Sequence, residues 1–322
     1  MGTYSQSTIT ISHLPSQQPI RTTVHEYVGD SDGPTVYVQA AQHGYEVNGT
    51  EVLRRLHDEL RERVEAGRVV AVPIASPLTF DHSSYTTPRA IEETHPNMNR
   101  VWPGDSDGTV HERIAARLWE YAGEADVIID LHTMSPDALS HVVVTEDDDE
   151  GLALARAFGT DLALVESRPD EAGHEWHRRN FSGKLRVAAT RRDITCITPE
   201  LGYNTWIDEP AVETGIRGVQ NVLREVGILA GDPASNGTPR LARNHLGRVT
   251  ATDSGLFVID PDVEIGDTVE AGDALGTVYD PSTYEVHQEV RADRDGTLYA
   301  LTREATIIAG ETLANVALPL ER

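Results

Sequence analysis

Residues 39–56, "QAAQHGYEVNGTEVLRRL", pass from the end of an apolar strand into an amphipathic helix within a few residues. The strand, "TVYVQAA" from Thr35, is short, β-branched and apolar on both faces, as strands buried inside a sheet are. The helix is expected over residues 49–65. Between them sit His43 and Glu46, with Gly44, Asn48 and Gly49 around them. A strand that turns directly into a helix is the repeating unit of an α/β sheet, and such sheets bind ligands beyond the C-terminal ends of their strands. A hydrolytic zinc takes three N/O ligands and keeps one position open. His-x-x-Glu at this turn can supply two of the three. Taken alone, it also fits a surface histidine beside a helix-capping carboxylate.

The same rhythm continues outward. Strands are expected at "VVAVPIA", "DVIIDLH", "HVVVT", "LALVES" and "ITCITPE", and helices at residues 110–121, 151–158 and 210–226. This is an α/β pattern running to about residue 230, with a mixed or parallel sheet flanked by helices. "GDPASNGTPR", from Gly231, reads as a linker. Beyond it come short strand candidates, turns rich in Gly and Asp, and no helix. "SGLFVIDPDVEIGDTV" and "DGTLYALTREATIIAGETL" share an order of Gly, apolar pair, spacer, Gly, acid, Thr and aliphatic. The expected division is residues 1–235 for the α/β domain and 243–322 for a small all-β domain of two related halves.

The bulk numbers exclude several classes. The chain of 322 residues carries a formal charge of -25, which opposes binding to nucleic acid and to anionic membranes. Lys184 is the only lysine among the 27 basic residues. High Asp/Glu with a single lysine is the composition expected of a halophilic protein, the alternative being an ordinary acidic cytosolic protein. Cys196 is the single cysteine, so there is neither an internal disulfide nor a Cys-type zinc site. No apolar run reaches the roughly 18 residues needed to span a bilayer, and the N-terminus lacks a signal-peptide pattern. A cytoplasmic enzyme is expected, and a homo-oligomer remains open.

Three further segments point at the turn that holds His43 and Glu46. "DVIIDLHT" closes an apolar strand with Asp130 and His132. Polar groups there are costly unless paired or bound. His132 would be the third metal ligand, and Asp130 either orients that histidine from behind or makes a loop contact. "ITCITPELG" ends in Glu200, a carboxylate suited to take a proton from water beside a metal. "HPNMNRVWPG" carries Asn99 and Arg100, whose guanidinium can hold a carboxylate through two bonds or simply pair with one of the chain's many acids.

"HGYEVNG", "NMNRVWPG", "DLHT" and "TPELG", in this order, resemble the succinylglutamate desuccinylase/aspartoacylase family over essentially the whole chain. The resemblance implies a zinc carboxypeptidase-like α/β fold, one zinc held by His43, Glu46 and His132, Glu200 as catalytic carboxylate, and Asn99 and Arg100 as the pair holding a substrate carboxylate. It also implies an arginine upstream that polarises the scissile carbonyl. Arg89 is the only arginine between Val69 and Asn99 and takes that place. Trp102 stands where the family usually has phenylalanine.

The implied reaction is hydrolysis of an N-acyl amino acid or related small amide. A zinc carboxypeptidase acting on peptides is the alternative, and a non-catalytic binding protein a third. The C-terminal region resembles a biotinyl/lipoyl-like sandwich, but its hairpin, "STYEVHQEV", has no lysine to carry either group. Residues 166–185 are a candidate lid, with His174, His177, Arg178 and Arg179 within it.

Overall fold

The protein is described by a computed structural model covering residues 2–134, 136–169, 171–203, 205–234, 237–243 and 248–320, apart from the side chain of Glu175. The chain opens with an antiparallel hairpin, β1 (Thr3–His13) and β2 (Pro19–Val28), which the apolar-run reading of the sequence passed over. Its alternating polar and apolar residues leave one face exposed, so it carries no continuous apolar run. The α/β body follows: β3 (Ser31–Gln39), α1 (Asn48–Arg63), β4 (Ala66–Val72), α2 (Pro77–Asp81), α3 (Val110–Ala122), β5 (Val127–Asp130), β6 (His132–Met134), β7 (Asp137–Ala138), β8 (His141–Thr145), α4 (Asp149–Phe158), β9 (Leu162–Glu166), α5 (His174–Arg178), α6 (Leu185–Thr190), β10 (Thr195–Tyr203) and α7 (Glu209–Glu225).

The large sheet runs in the order β1-β2-β4-β3-β5-β10-β8-β9. Strands β4, β3, β5 and β10 are mutually parallel, whereas β8 runs antiparallel to β10. The sheet is therefore mixed. Alternate residues of its central strands feed two apolar layers. Val36, Val38 and Ile129 meet Leu53, Leu56 and Leu60 of α1 and Val219 and Val222 of α7. Tyr37, Ile128 and Cys196 meet Ile114 and Leu118 of α3 and Leu185 and Ala188 of α6. Helix starts follow local chemistry. Thr109 and Glu112 form a capping box at α3, and Asp148 and Asp208 cap α4 and α7.

Gly218 of α7 shows how closely the first layer is packed. A Cβ there would lie 2.4 Å from Cε1 of Phe158, which is fully buried on α4. Gly218→Ala is expected to destabilise the fold by about 1–3 kcal/mol through overpacking, read as a lower urea midpoint with little change in slope.

The C-terminal region is all-β among its described residues: β11 (Arg240–Arg243), β12 (Val249–Thr250), β13 (Gly255–Ile259), β14 (Thr268–Val269), β15 (Ala274–Tyr279), β16 (Val286–Arg291), β17 (Gly296–Leu301), β18 (Thr306–Ile307) and β19 (Thr312–Pro319). The two similar segments exchange partners: β13 of the first pairs with β18 of the second, and β14 of the first pairs with β17 of the second. The large sheet continues from β9 through β11, β19 and β17 to β14. The region has its own core around Phe257, Leu275, Val290 and Leu313. A second cluster, with Val143, Leu164, Tyr299 and Ala317, ties it to the α/β body. Ser235, Asn236 and residues 244–247, at the expected division, lie outside the described residues.

Candidate active site at the strand ends

Because β3, β5 and β10 are parallel neighbours, their polar ends lie side by side. Gln39 pairs in register with Asp130, and Ile197, three residues before Glu200, pairs with Ile129. The chain then continues from Asp130 through Leu131 to His132, whose backbone pairs with Glu200. His43 and Glu46 arrive on the turn between β3 and α1. That turn holds Ala41 at φ 51 and passes so close to α2 that a Cβ on Gly44 would sit 1.9 Å from the carbonyl of Thr79. Glycine is required there on space alone.

His43, Glu46 and His132 are all buried, and their ligand atoms lie within 4.8 Å of one another, a set that could hold a metal ion. The donor chemistry fits that use. Nδ1 of His43 donates to the carbonyl of Tyr85 at 2.8 Å, which leaves Nε2 with its lone pair. Burial, and then the neighbouring His132, hold the pKa of His43 well below its ordinary value, so it is a neutral ligand. His132 lies between two carboxylates, with Nδ1 2.9 Å from Glu46 Oε2 and Nε2 3.0 Å from Asp130 Oδ2. Burial pulls its pKa down, but Asp130 and Glu46 outweigh burial and raise it well above the ordinary value. Without a metal, a protonated imidazole thus supplies the positive charge that two buried carboxylates require.

Asp130 is fixed from behind by a chain of amides. Gln39 and Gln42 donate to it at 2.8–2.9 Å, and Trp102 Nε1 donates to Gln42 Oε1 at 2.7 Å. Burial would raise the Asp130 pKa, but His132 and these amide donors hold it below the ordinary carboxylate value. Both glutamines stand in or beside the turn that opens the sequence reading, yet neither was singled out there. Their signal was a polar residue at the closing end of an apolar strand.

Glu200 lines the same cavity and accepts no hydrogen bond from the described residues. Burial, opposed by His132, pushes its pKa up to about 7. Asn99 is buried, its Oδ1 taken by the backbone N–H of Leu185 at 3.1 Å and its Nδ2 3.4 Å from His132 Nε2. Arg100 is braced by the carbonyls of Arg179 and Asn99 at 3.0 and 2.6 Å, with its guanidinium 4.8 Å from the centre of the Phe181 ring. It lines the cavity and makes no ion pair among the described residues.

Arg89 is exposed on the turn after Pro88 and is not among the residues lining the cavity. Of the segment 166–185, Glu166, Arg179, Phe181 and Lys184 line the cavity, whereas His174, His177 and Arg178 are exposed; Asp170 lies outside the described residues. The cavity measures ≈ 330 Å³. Its wall also includes a cluster that the sequence reading missed. Glu166 pairs with Lys184 at 3.1 Å and with Arg186. Those two cations outweigh burial and lower the Glu166 pKa to about 2, while burial lowers Lys184 to about 8.

Residues 32–226 match the family model of the succinylglutamate desuccinylase/aspartoacylase catalytic domain. The chain is 28% identical over 298 residues to N-alpha-acetyl-L-2,4-diaminobutyric acid deacetylase of Halomonas elongata, covering 89% of this chain and 82% of that protein. It is similar in fold to the crystal structure of a succinylglutamate desuccinylase from Silicibacter sp. TM1040, with a TM-score of 0.85, 23% identity and coverage of 98% and 95%. It is also similar to the product-bound ectoine utilization protein EutE (DoeB) of Ruegeria pomeroyi, with a TM-score of 0.84, 23% identity and coverage of 98% and 95%. With the catalytic-domain match spanning more than half of the sequence, the chain belongs to the succinylglutamate desuccinylase/aspartoacylase family.

Proposed function

We propose that the protein is a zinc-dependent deacylase that hydrolyses the amide bond of a small N-acyl amino acid. The observation that carries this reading is Glu200, a carboxylate without hydrogen-bond partners among the described residues, facing the same cavity as the His43, Glu46 and His132 cluster. His43 through Nε2, Glu46, and His132 would hold the metal, with Asp130 accepting from the other ring nitrogen of His132. A bound zinc would supply a Lewis acid that acidifies water and polarises a carbonyl oxygen.

The remaining roles fall to the chain. Glu200 takes the proton of the attacking water and returns it to the leaving amine. Arg100, fixed by two carbonyls, holds the substrate carboxylate and so aligns the scissile bond. Asn99 offers its amide beside it. Arg89, exposed in this arrangement, is assigned no contact with the carbonyl.

A cavity of ≈ 330 Å³ favours a small acyl amino acid over a peptide. The Halomonas elongata relative, named for deacetylating N-alpha-acetyl-L-2,4-diaminobutyric acid, supports the same choice. We read residues 1–235 as the hydrolase unit and 243–322 as a second unit with a sandwich-like exchange of strands and no lysine to modify.

The test is a hydrolysis screen of acetylated and succinylated amino acids with the zinc-loaded protein, followed by a cycle on the best substrate. Arg100→Lys keeps the charge but loses the planar fork, so KM is expected to rise by about tenfold or more. Methylating the substrate carboxylate should impair the wild type strongly and the variant much less, because both changes remove one interaction. Additive losses would show that Arg100 does not read the carboxylate, and no hydrolysis of any acylated amino acid would overturn the reading.

A further inference from the structure

Hydrolysis of an amide builds negative charge on the carbonyl oxygen, and a hydrogen-bond donor fixed in advance at that point lowers the barrier. Arg89 stands outside the cavity lining and does not supply that donor. The segment that carries it nevertheless sends one side chain inward. Among the described residues, Tyr85 is the only one of positions 69–98 that lines the cavity.

The place of Tyr85 is fixed from both sides. The carbonyl of Ser84 accepts from the backbone N–H of Gly44 at 2.8 Å, and the carbonyl of Tyr85 accepts from Nδ1 of His43 at 2.8 Å. Two residues on, the N–H of Thr87 donates to the carbonyl of Pro96 at 2.9 Å, and Thr87 Oγ1 lies 2.6 Å from Nε2 of the buried His111. The Tyr85 ring stacks on the His43 ring, with centroids 3.9 Å apart and planes inclined by 24°. The residue keeps 38% of its surface exposed, so it is not sealed away behind His43. The charges that act on its phenol are those of Arg100, Glu46 and His132. The side chain of Asn97 bonds to the phenol oxygen, and Asn97 Oδ1 is already taken by the N–H of Asn99 at 2.9 Å. The Asn97 amide is therefore the donor of that bond. A tyrosine phenol is an un-ionised O–H group at neutral pH, and here its own proton is left to bond elsewhere.

We propose that Tyr85 is a catalytic residue whose hydroxyl donates a hydrogen bond to the scissile carbonyl oxygen as negative charge develops there. The pose of the substrate brings the two together. With its carboxylate on Arg100 and its amide at the His43, Glu46 and His132 cluster, the carbonyl oxygen falls between them, and these are the groups whose charges the phenol meets. Tyr85 keeps its proton throughout. Water adds its oxygen to the carbonyl carbon, the water proton goes to Glu200, and the C=O electron pair moves onto the oxygen that Tyr85 holds. The assignment rests on the deacylase reading.

The experiment compares the wild type with Tyr85→Phe, which keeps the ring against His43 and removes only the hydroxyl. Both are loaded with zinc and given the acetylated amino acid that the wild type cleaves best. The variant is expected to lose at least about tenfold in kcat, with KM within about threefold, because the bond strengthens only as the charge forms. Calorimetry gives a readout apart from turnover. The phosphonamidate of the same amino acid, in which a tetrahedral P(O)O⁻ replaces the carbonyl, should bind the variant at least about tenfold more weakly. The free amino-acid product should bind both proteins within about twofold. Elemental analysis should find equal zinc. A smaller loss in kcat, a phosphonamidate bound equally by both proteins, a product weakened as much as the phosphonamidate, or a loss of zinc would each overturn the role of Tyr85 and leave the deacylase reading standing. A wild type that hydrolyses no acylated amino acid would overturn both.

Discussion

Glu200→Gln is expected to lower kcat by about 10²–10⁴-fold while leaving the metal content unchanged. Glutamine keeps the size of the side chain but cannot accept a proton, and no protein donor is left unpaired by the change, because Glu200 accepts no hydrogen bond from the described residues. The substitution therefore isolates proton transfer from packing. The pH profile gives a second readout. Burial pushes the Glu200 carboxyl up to about 7 in the metal-free protein. A cation in the His43, Glu46 and His132 cluster favours the ionised form and lowers that value. Turnover in the loaded enzyme is thus expected to fall as pH drops through a point below about 7, where Glu200 takes up a proton and ceases to be a base. The Gln variant should lack this acid limb. Steady-state kinetics across pH check both statements, and near wild-type kcat at saturating substrate would remove Glu200 from the proton-transfer role.

His132→Ala is expected to abolish stoichiometric zinc binding, and activity with it. One zinc per chain should be found in the wild type by elemental analysis, and equal zinc in the variant would overturn the ligand assignment. The variant also leaves Asp130 and Glu46 buried without the imidazole between them. That loss is destabilising in itself, so a folded control is needed. Asp130→Asn provides it, since the amide keeps the shape and only the charge behind His132 is lost. A partner placed behind a ligand typically accounts for 10–100-fold in metal affinity. Competition with a chromogenic chelator, alongside circular dichroism, should therefore rank the proteins as wild type, Asp130→Asn and His132→Ala in falling affinity. An Asp130→Asn protein that binds zinc as the wild type does would show that the carboxylate only fills space.

Much of the site could be read from local signals, for a definite reason. In a parallel sheet, the residue at which each apolar run turns polar lies beside its counterparts on neighbouring strands. The ends of "TVYVQAA", "DVIIDLH" and "ITCITPE" could therefore be brought together without coordinates. The four long helices were visible for a similar reason, because their apolar faces recur at helical spacing and all four lie within a few residues of the expected ranges. The N-terminal hairpin was not visible in this way, since its outer face is polar and its strands lack a continuous apolar run. Arg89 marks a different limit. It was placed by the family resemblance, which implies an arginine upstream of Asn99, and by being the only one in that segment; neither signal carries information about direction, and in the structure Arg89 is exposed on the turn after Pro88, outside the cavity lining.

By itself, the sequence determined the α/β order, the all-β C-terminal region and the residues at the strand ends, because each depends on periodicity or on a polar residue ending an apolar run. Tertiary structure alone decided which side chains complete the cavity. Glu166, Lys184 and Arg186 meet through ion pairs across 18–20 positions of chain. Tyr299 and Asn315 reach the cavity only because β17 and β19 extend the same sheet beyond β9. No local pattern encodes such contacts, since they arise where separate elements pack, and packing depends on the shape and register of the partner as much as on the residue itself.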